Sequence, residues 1–235
     1  MQNPIIAALD VPSVDQAHSL IDQIGDQVGA FKVGMELFTA AGPEIIGRIR
    51  ERNASVFLDL KFHDIPNTVA KAVASAVRLD VQMLTIHTHG GLTMMKAAET
   101  AAQETATKLG RTAPLVLGVS VLTSMDQSDL EEIGIQDTVP DQVAKVVNLG
   151  VNAGLRGFVC SPLEIERLRS MIPKGTKLVT PGIRMASDDK GDQKRTKSPQ
   201  EALQSGADYL VIGRPIYGAP DPSGALTRIL ESIGS

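Results

Sequence analysis

The feature that most constrains this chain is a regular beat. Short apolar runs bounded by turn residues recur at 4–9, 30–33, 55–60, 82–86, 114–119, 157–159, 177–179 and 209–212. Between most of them lie stretches with apolar residues at i, i+3 and i+4, at 14–24, 44–50, 68–79, 92–108, 140–149 and 163–171. Runs this short, bounded by turn residues, are about eight strand candidates, and the stretches between them are helix-like. Strand and helix alternating from end to end, with no linker or low-complexity segment, predict parallel βα units. About eight such units close more naturally into a barrel than into an open sheet, so the expected fold is a single (β/α)8 TIM barrel spanning residues 1–235. An open doubly wound sheet is the alternative. The first strand is followed by Ala8-Leu9-Asp10-Val11-Pro12 rather than G-x-G-x-x-G, so the dinucleotide-binding fingerprint is missing.

Length and composition bound the function. At 235 residues the chain is of ordinary size for one such barrel. Lys+Arg 23 against Asp+Glu 27 gives a net charge of −4, which removes the electrostatic reason to expect nucleic acid or an anionic membrane as partner. Any anionic ligand must then be met by a local cluster of cations. A single cysteine, Cys160, excludes an intramolecular disulfide and a multi-thiolate metal site, and fits a reducing compartment. No apolar run approaches the length of a membrane span, and the first ten residues lack the pattern of a signal peptide, so the expected location is the cytoplasm. With no Trp and 3% aromatics, stacking surfaces for bases or sugars are not expected, and recognition should be polar.

In parallel barrels the chemistry gathers where strands end and loops begin. Those edges carry Asp10, Lys32, Asp59 with Lys61, His87 with His89, Thr123, Ser161, Pro181 to Arg184, and Gly213 with Arg214. Alternation along the third run puts Asp59 and Lys61 on one face and Leu58 and Leu60 on the other. If the leucines face the helices, the charges point inward, and Lys32 at the end of the neighbouring strand is close enough to pair with Asp59. Such an array is either a proton-donating site or a plain ion pair filling the barrel top. Strand 209–212 runs into Gly213-Arg214-Pro215, where backbone N–H groups at a helix start and a guanidinium suit a phosphate, against the reading of a simple tight turn. Two stretches, 123–137 and 184–198, break the beat and read as long loops; Arg184 and Gln193 on the second are placed to close over the same group. His87 and His89 put two imidazoles on one face of a strand end, and His63 stands beside Asp64, but two histidines without a fixed carboxylate spacing define no metal site. They read instead as hydrogen-bonded histidines near the rim. Cys160 reads as a buried small residue and Met94-Met95 as helix packing.

The string Asp59-Leu60-Lys61-Phe62-His63-Asp64-Ile65-Pro66-Asn67-Thr68 strongly resembles the orotidine 5′-phosphate decarboxylase family of the bacterial type. Ala8-Leu9-Asp10, Phe31-Lys32-Val33-Gly34, Leu122-Thr123-Ser124, Thr180-Pro181-Gly182-Ile183-Arg184, Gln193-Lys194-Arg195 and Val211-Ile212-Gly213-Arg214-Pro215-Ile216 follow in the family's order, so the likeness runs the whole length. It implies a (β/α)8 barrel working as a homodimer, which removes CO2 from orotidine 5′-monophosphate to give UMP, the last step of de novo pyrimidine synthesis. No metal or organic cofactor is implied, and no nucleic-acid or membrane partner. The family's charged tetrad falls on Lys32, Asp59, Lys61 and Asp64, with Lys61 the proton donor to C6 and Asp64 reaching into the neighbouring subunit's site. Asp10, Lys32 and the partner's Thr68 would bind the ribose, Thr123 the pyrimidine, and Gln193 both base and phosphate. Arg184, Gly213 and Arg214 would hold the phosphate, with Ile65 and Pro181 completing the contacts. Metal-dependent sugar-phosphate decarboxylases share D-x-K-x-x-D but carry an acidic residue where Lys32 stands, which makes Lys32 the discriminator. A silent nucleotide-binding barrel would be expected to show a broken tetrad, and here all four residues are present.

Overall fold

The structure, a computed structural model, describes residues 3–184 and 196–234. Its centre is a closed parallel barrel whose strands pair in sequence order: β1 Ile5–Ala8, β2 Ala30–Gly34, β3 Ser55–Phe62, β4 Met83–His87, β5 Leu115–Val119, β6 Gly157–Val159, β7 Lys177–Thr180 and β8 Tyr209–Ile212. Closure is made by β1, which pairs with β2 on one side and with β8 on the other, Ile6 lying opposite Val211. Eight runs read from the sequence are thus eight strands, each within two residues of its expected bounds.

Strand alternation sorts the side chains into two cores. Ile6, Ala8, Ala30, Phe57, Met83, Leu117, Val179 and Val211 pack together inside the barrel. Their neighbours along the same strands, among them Ile5, Phe31, Val33, Val56, Leu58, Leu84, Val116, Leu178 and Leu210, belong to a larger core between barrel and helices. Burial on both faces is why these strands read as continuous apolar runs rather than as alternation. Counting two residues onward from the inward set gives Asp10 after Ala8, Lys32 after Ala30, Asp59 after Phe57 and Thr85 after Met83. The inner layer is therefore apolar below and polar at the C-terminal rim, and this change of polarity positions the site.

The helices follow from amphipathic segments with local stop and start signals. After β1 comes α1 Val14–Ile24, with Ser13 accepting from the N–H of Gln16 at its start, and after β2 come α2 Met35–Ala41 and α3 Glu44–Glu51. Pro66 opens α4 Pro66–Arg78, and α5 Gly91–Lys108 lies beside it with Met94 and Met95 fully buried. Then follow α6 Gln127–Glu132, α7 Val139–Asn152, α8 Ile165–Met171, α9 Pro199–Gln204, α10 Arg214–Tyr217 and α11 Pro222–Ser232. The stretch 123–137, expected as a long loop, contains α6. Asp126 caps that helix, accepting from the N–H groups of Ser128 and Asp129, while the Asp129 carboxylate returns a bond to the N–H of Asp126. Only Leu130 of α6 is buried, so it has no apolar stripe for periodicity to detect.

Candidate active site

The site grows out of an irregularity in β3. Pairing with β4 runs Leu58 to Leu84 and resumes at Phe62 to Ile86, so three residues of β3 stand opposite Thr85 alone. Within this bulge Lys61 adopts φ +50°, in the left-handed region that a residue with a Cβ seldom occupies. Such conformations persist where surrounding contacts over-determine them, and they gather at functional sites. The bulge re-aims the strand end: Lys61 Nζ lies 3.0 Å from both carboxylate oxygens of Asp59, two residues before it.

Lys32 completes the array from β2. Its ammonium donates to Asp10 Oδ1 at 2.8 Å and stands 3.8 Å from Asp59 Oδ2, so the expected partner is the more distant of two carboxylates. The order Asp10, Lys32, Asp59, Lys61 alternates in sign, each ion facing an opposite charge that offsets its desolvation. Side-chain exposures of 11%, 13% and 25% for Lys32, Asp59 and Lys61 put these charges in a partly dry environment, where their fields act more strongly than in bulk water. Gly34 leaves room for this: a Cβ there would lie 3.1 Å from Lys32 Nζ.

A cavity of about 470 Å³ opens above the array. Asp10, Lys32, Asp59 and Lys61 line one part of its wall; Pro181, Arg184, Gly213 and Arg214, from the ends of β7 and β8, line another, and Thr123 with Ser124 a third. Because α10 has only four residues, its dipole is a minor attraction for an anion. The capacity to bind one rests instead on the guanidinium groups of Arg184 and Arg214 and on backbone beside Gly213. That backbone is closely packed, since a Cβ on Gly213 would stand 3.2 Å from the Tyr217 ring and 3.5 Å from Ala8 Cβ. Arg184 is held by a bond from Nη1 to its neighbour's carbonyl, and its N–H bonds to the carbonyl of Lys197 beside the bridge between Ile183 and Lys197. The two ends of the 184–198 stretch are therefore tied together. Gln193, expected to contact base and phosphate, lies outside the described residues.

Asp64, Ile65 and Thr68 are exposed and do not line this cavity. Asp64 accepts from the N–H of Ile65, a bond that shapes the turn into α4. Of the histidine readings, one changes: β4 ends at His87, and Thr88–Gly90 form a 3-10 turn, so His87 and His89 do not share a strand face. His87 packs against His63, with ring centroids 5.5 Å apart, and His89 meets the Gln142 amide at 3.2 Å. Burial, followed by repulsion from His63, His89 and Lys61 and opposed by Asp59, lowers His87 to about 4. Burial and His63 lower His89 in the same direction. Among the described residues, no group of three or more His, Cys, Asp or Glu is arranged to hold a metal ion. Cys160 is buried, as expected of a small core residue.

Sequence reasoning missed Thr85, which bonds to Asp59 and to the backbone of Lys61 behind the cavity wall, and, in the wall itself, Tyr217 and the apolar Val119, Val121 and Val159. Thr85 was within reach of the alternation rule, two residues beyond Met83 on the inward face. Val121 and Leu122 lie past the end of β5, where no periodicity remains to orient them.

Comparison with known proteins agrees with this geometry. Residues 3–229 match the profile of the orotidine 5′-phosphate decarboxylase / HUMPS family. The chain belongs to that family. It is 49% identical over 233 residues to the orotidine 5′-phosphate decarboxylase of Moorella thermoacetica, covering 99% of this chain and 92% of that one. To the protein of the same name from Shewanella sediminis it is 50% identical over 230 residues, covering 98% and 97%. Among solved structures, the orotidine 5′-phosphate decarboxylase of Lactobacillus acidophilus superposes with a TM-score of 0.88 at 33% identity, covering all of both chains. An uncharacterized conserved protein from Geobacillus kaustophilus superposes with a TM-score of 0.86 at 33% identity, covering 98% of this chain and all of that one. No helix among the described residues is long and apolar enough to cross a membrane.

Proposed function

We propose that this chain, a single catalytic domain working as a homodimer in the cytoplasm, decarboxylates orotidine 5′-monophosphate to UMP without metal or organic cofactor. The observation that carries the reading is one cavity with two kinds of wall: an alternating Asp10–Lys32–Asp59–Lys61 array and an arginine pair with Gly213. The second suits a phosphate and the first a reaction that develops negative charge on carbon. The relatives named above carry the same activity in their names.

In this reading the bond between C6 and the carboxylate breaks, CO2 leaves and the electron pair stays on C6, in an orbital the pyrimidine ring cannot delocalise. Lys61, as the ammonium, stabilises that pair and transfers a proton to C6; a proton from water then restores the lysine, so the reaction consumes one proton overall. Asp59 faces the departing carboxylate and favours the state in which that charge is leaving. Lys32 and Asp10 hold the ribose and Thr123 the base, while Arg184, Gly213, Arg214 and Gln193 hold the phosphate. Exposure of Asp64, Ile65 and Thr68 beside, rather than inside, the cavity supports a homodimer in which they complete the partner's site.

The test is the ultraviolet absorbance decay of orotidine 5′-monophosphate with purified protein in excess EDTA, beside a Lys61→Ala control. Conversion to UMP that is lost in the control is the expected result. Activity abolished by chelator and restored by Mg²⁺ would point instead to metal-dependent sugar-phosphate chemistry on the same scaffold.

A further inference from the structure

Thr85 is fully buried, contributes nothing to the cavity wall, and yet bonds to both β3 members of the charge array, Asp59 and Lys61. Its hydroxyl accepts from the backbone N–H of Lys61 at 2.8 Å and stands 2.9 Å from Asp59 Oδ1. A hydroxyl has one proton, and a carboxylate can only accept, so the direction is fixed: Thr85 receives from Lys61 and donates to Asp59.

The bulge explains why a side chain has this task. Between the Leu58–Leu84 and Phe62–Ile86 pairs the β3–β4 ladder is interrupted, and Thr85 is the single β4 residue opposite residues 59–61. The N–H of Lys61, turned by its left-handed φ, finds the Thr85 hydroxyl instead of a strand carbonyl. One group thus replaces the missing rung, secures the unusual backbone of Lys61 and fixes the carboxylate of Asp59. We infer that Thr85 is a positioning residue for proton delivery, an inference that rests on the function proposed above. When Lys61 gives up its proton, its ammonium no longer draws Asp59 as a full charge. The Thr85 bond does not depend on that proton, so Asp59 stays where the departing carboxylate left it and the lysine is reprotonated against a stationary partner.

Thr85→Val keeps the shape and deletes the hydroxyl, whereas Thr85→Ser keeps the hydroxyl and deletes a methyl group. The expected result is a kcat lower by roughly 10- to 100-fold in Thr85→Val, the scale of a displaced catalytic group, with KM for orotidine 5′-monophosphate changed by less than about threefold. Thr85→Ser should recover most of that loss. Amide exchange at Lys61, followed by NMR, should accelerate in Thr85→Val and not in Thr85→Ser. Unchanged kcat in Thr85→Val, or a loss in Thr85→Ser as large as in Thr85→Val, overturns the inference. If Thr85→Val does not fold, Thr85→Ala takes its place, and serine must exceed alanine in kcat. Should the wild-type protein leave orotidine 5′-monophosphate unconsumed, the proposed function falls; Lys61 amide exchange then decides the hydroxyl's role alone, and no acceleration in the valine variant overturns it.

Discussion

Arg214 follows β8 and Lys61 lies near the end of β3, three strands apart around the closed barrel, yet both face one cavity. Binding at the phosphate end can speed the reaction only if it organises the charge array or closes the site. Arg214→Ala should therefore lower kcat as well as raise KM, with kcat/KM down by roughly 10- to 100-fold, as for a lost hydrogen bond to a charged group. Steady-state kinetics in which KM alone rises would uncouple the two ends. His87 offers a second test. Its folded-state value near 4 lies below the ordinary 6.5, so the unfolded chain binds the proton more readily. The stability contribution is complete above about pH 6.5 and is lost as pH falls toward 4; partial exposure discounts it to on the order of 1–2 kcal/mol. Urea midpoints of His87→Gln should fall less steeply than wild type across that window. Lys32, Asp59 and Lys61 were legible in the sequence because charges at the ends of apolar runs stand out, although spacing alone left a plain ion pair as an equal explanation. Alternation could place Thr85 on the inward face but not show its task, since a β-branched residue inside a strand is ordinary filler until its partners are seen.

At the scale of elements, legibility mostly followed length and burial, with α11 the exception: it is as long as α1 and buries Ala225, Leu226 and Ile229, yet it was not read from the sequence. The strands and the long amphipathic helices α1, α4, α5 and α7 each bury one stripe or both faces, so their periods are written in the sequence. Helix α6 escaped because it spans six residues and is held by an Asp–Asp capping box rather than by a stripe, and α10 because four residues hold barely one turn. How closely α7 approaches the barrel was also invisible. A Cβ on Gly150 would lie 2.4 Å from the ring of Phe158, itself fully buried in β6. Gly150→Ala gains up to about 1 kcal/mol of helix propensity, while overpacking a rigid core costs typically about 1–3 kcal/mol. The clash should win, so thermal melting should show Gly150→Ala destabilised, against the usual sign for such a substitution in a helix.

For the molecule as a whole, the proposed dimer makes a prediction that no single chain can satisfy. Lys61→Ala chains and Asp64→Ala chains should each be nearly inactive alone. Mixed after unfolding and refolding together, they should recover about one quarter of wild-type activity, because half of random pairings are heterodimers with one intact site. Absence of recovery, with heterodimers demonstrated by mass, would place Asp64 outside the partner's site. Closure of the barrel has a further consequence during synthesis. Strand β1 leaves the ribosome about 200 residues before its partner β8, a wait of roughly 10–40 s at ordinary translation rates. Through that interval Ile5–Ala8, wholly buried in the finished protein, must stay unpaired along one edge. Since Asp10 follows β1 and Arg214 follows β8, the nascent chain acquires its binding cavity only in the final moments of its production, and ligand cannot help to fold what comes before.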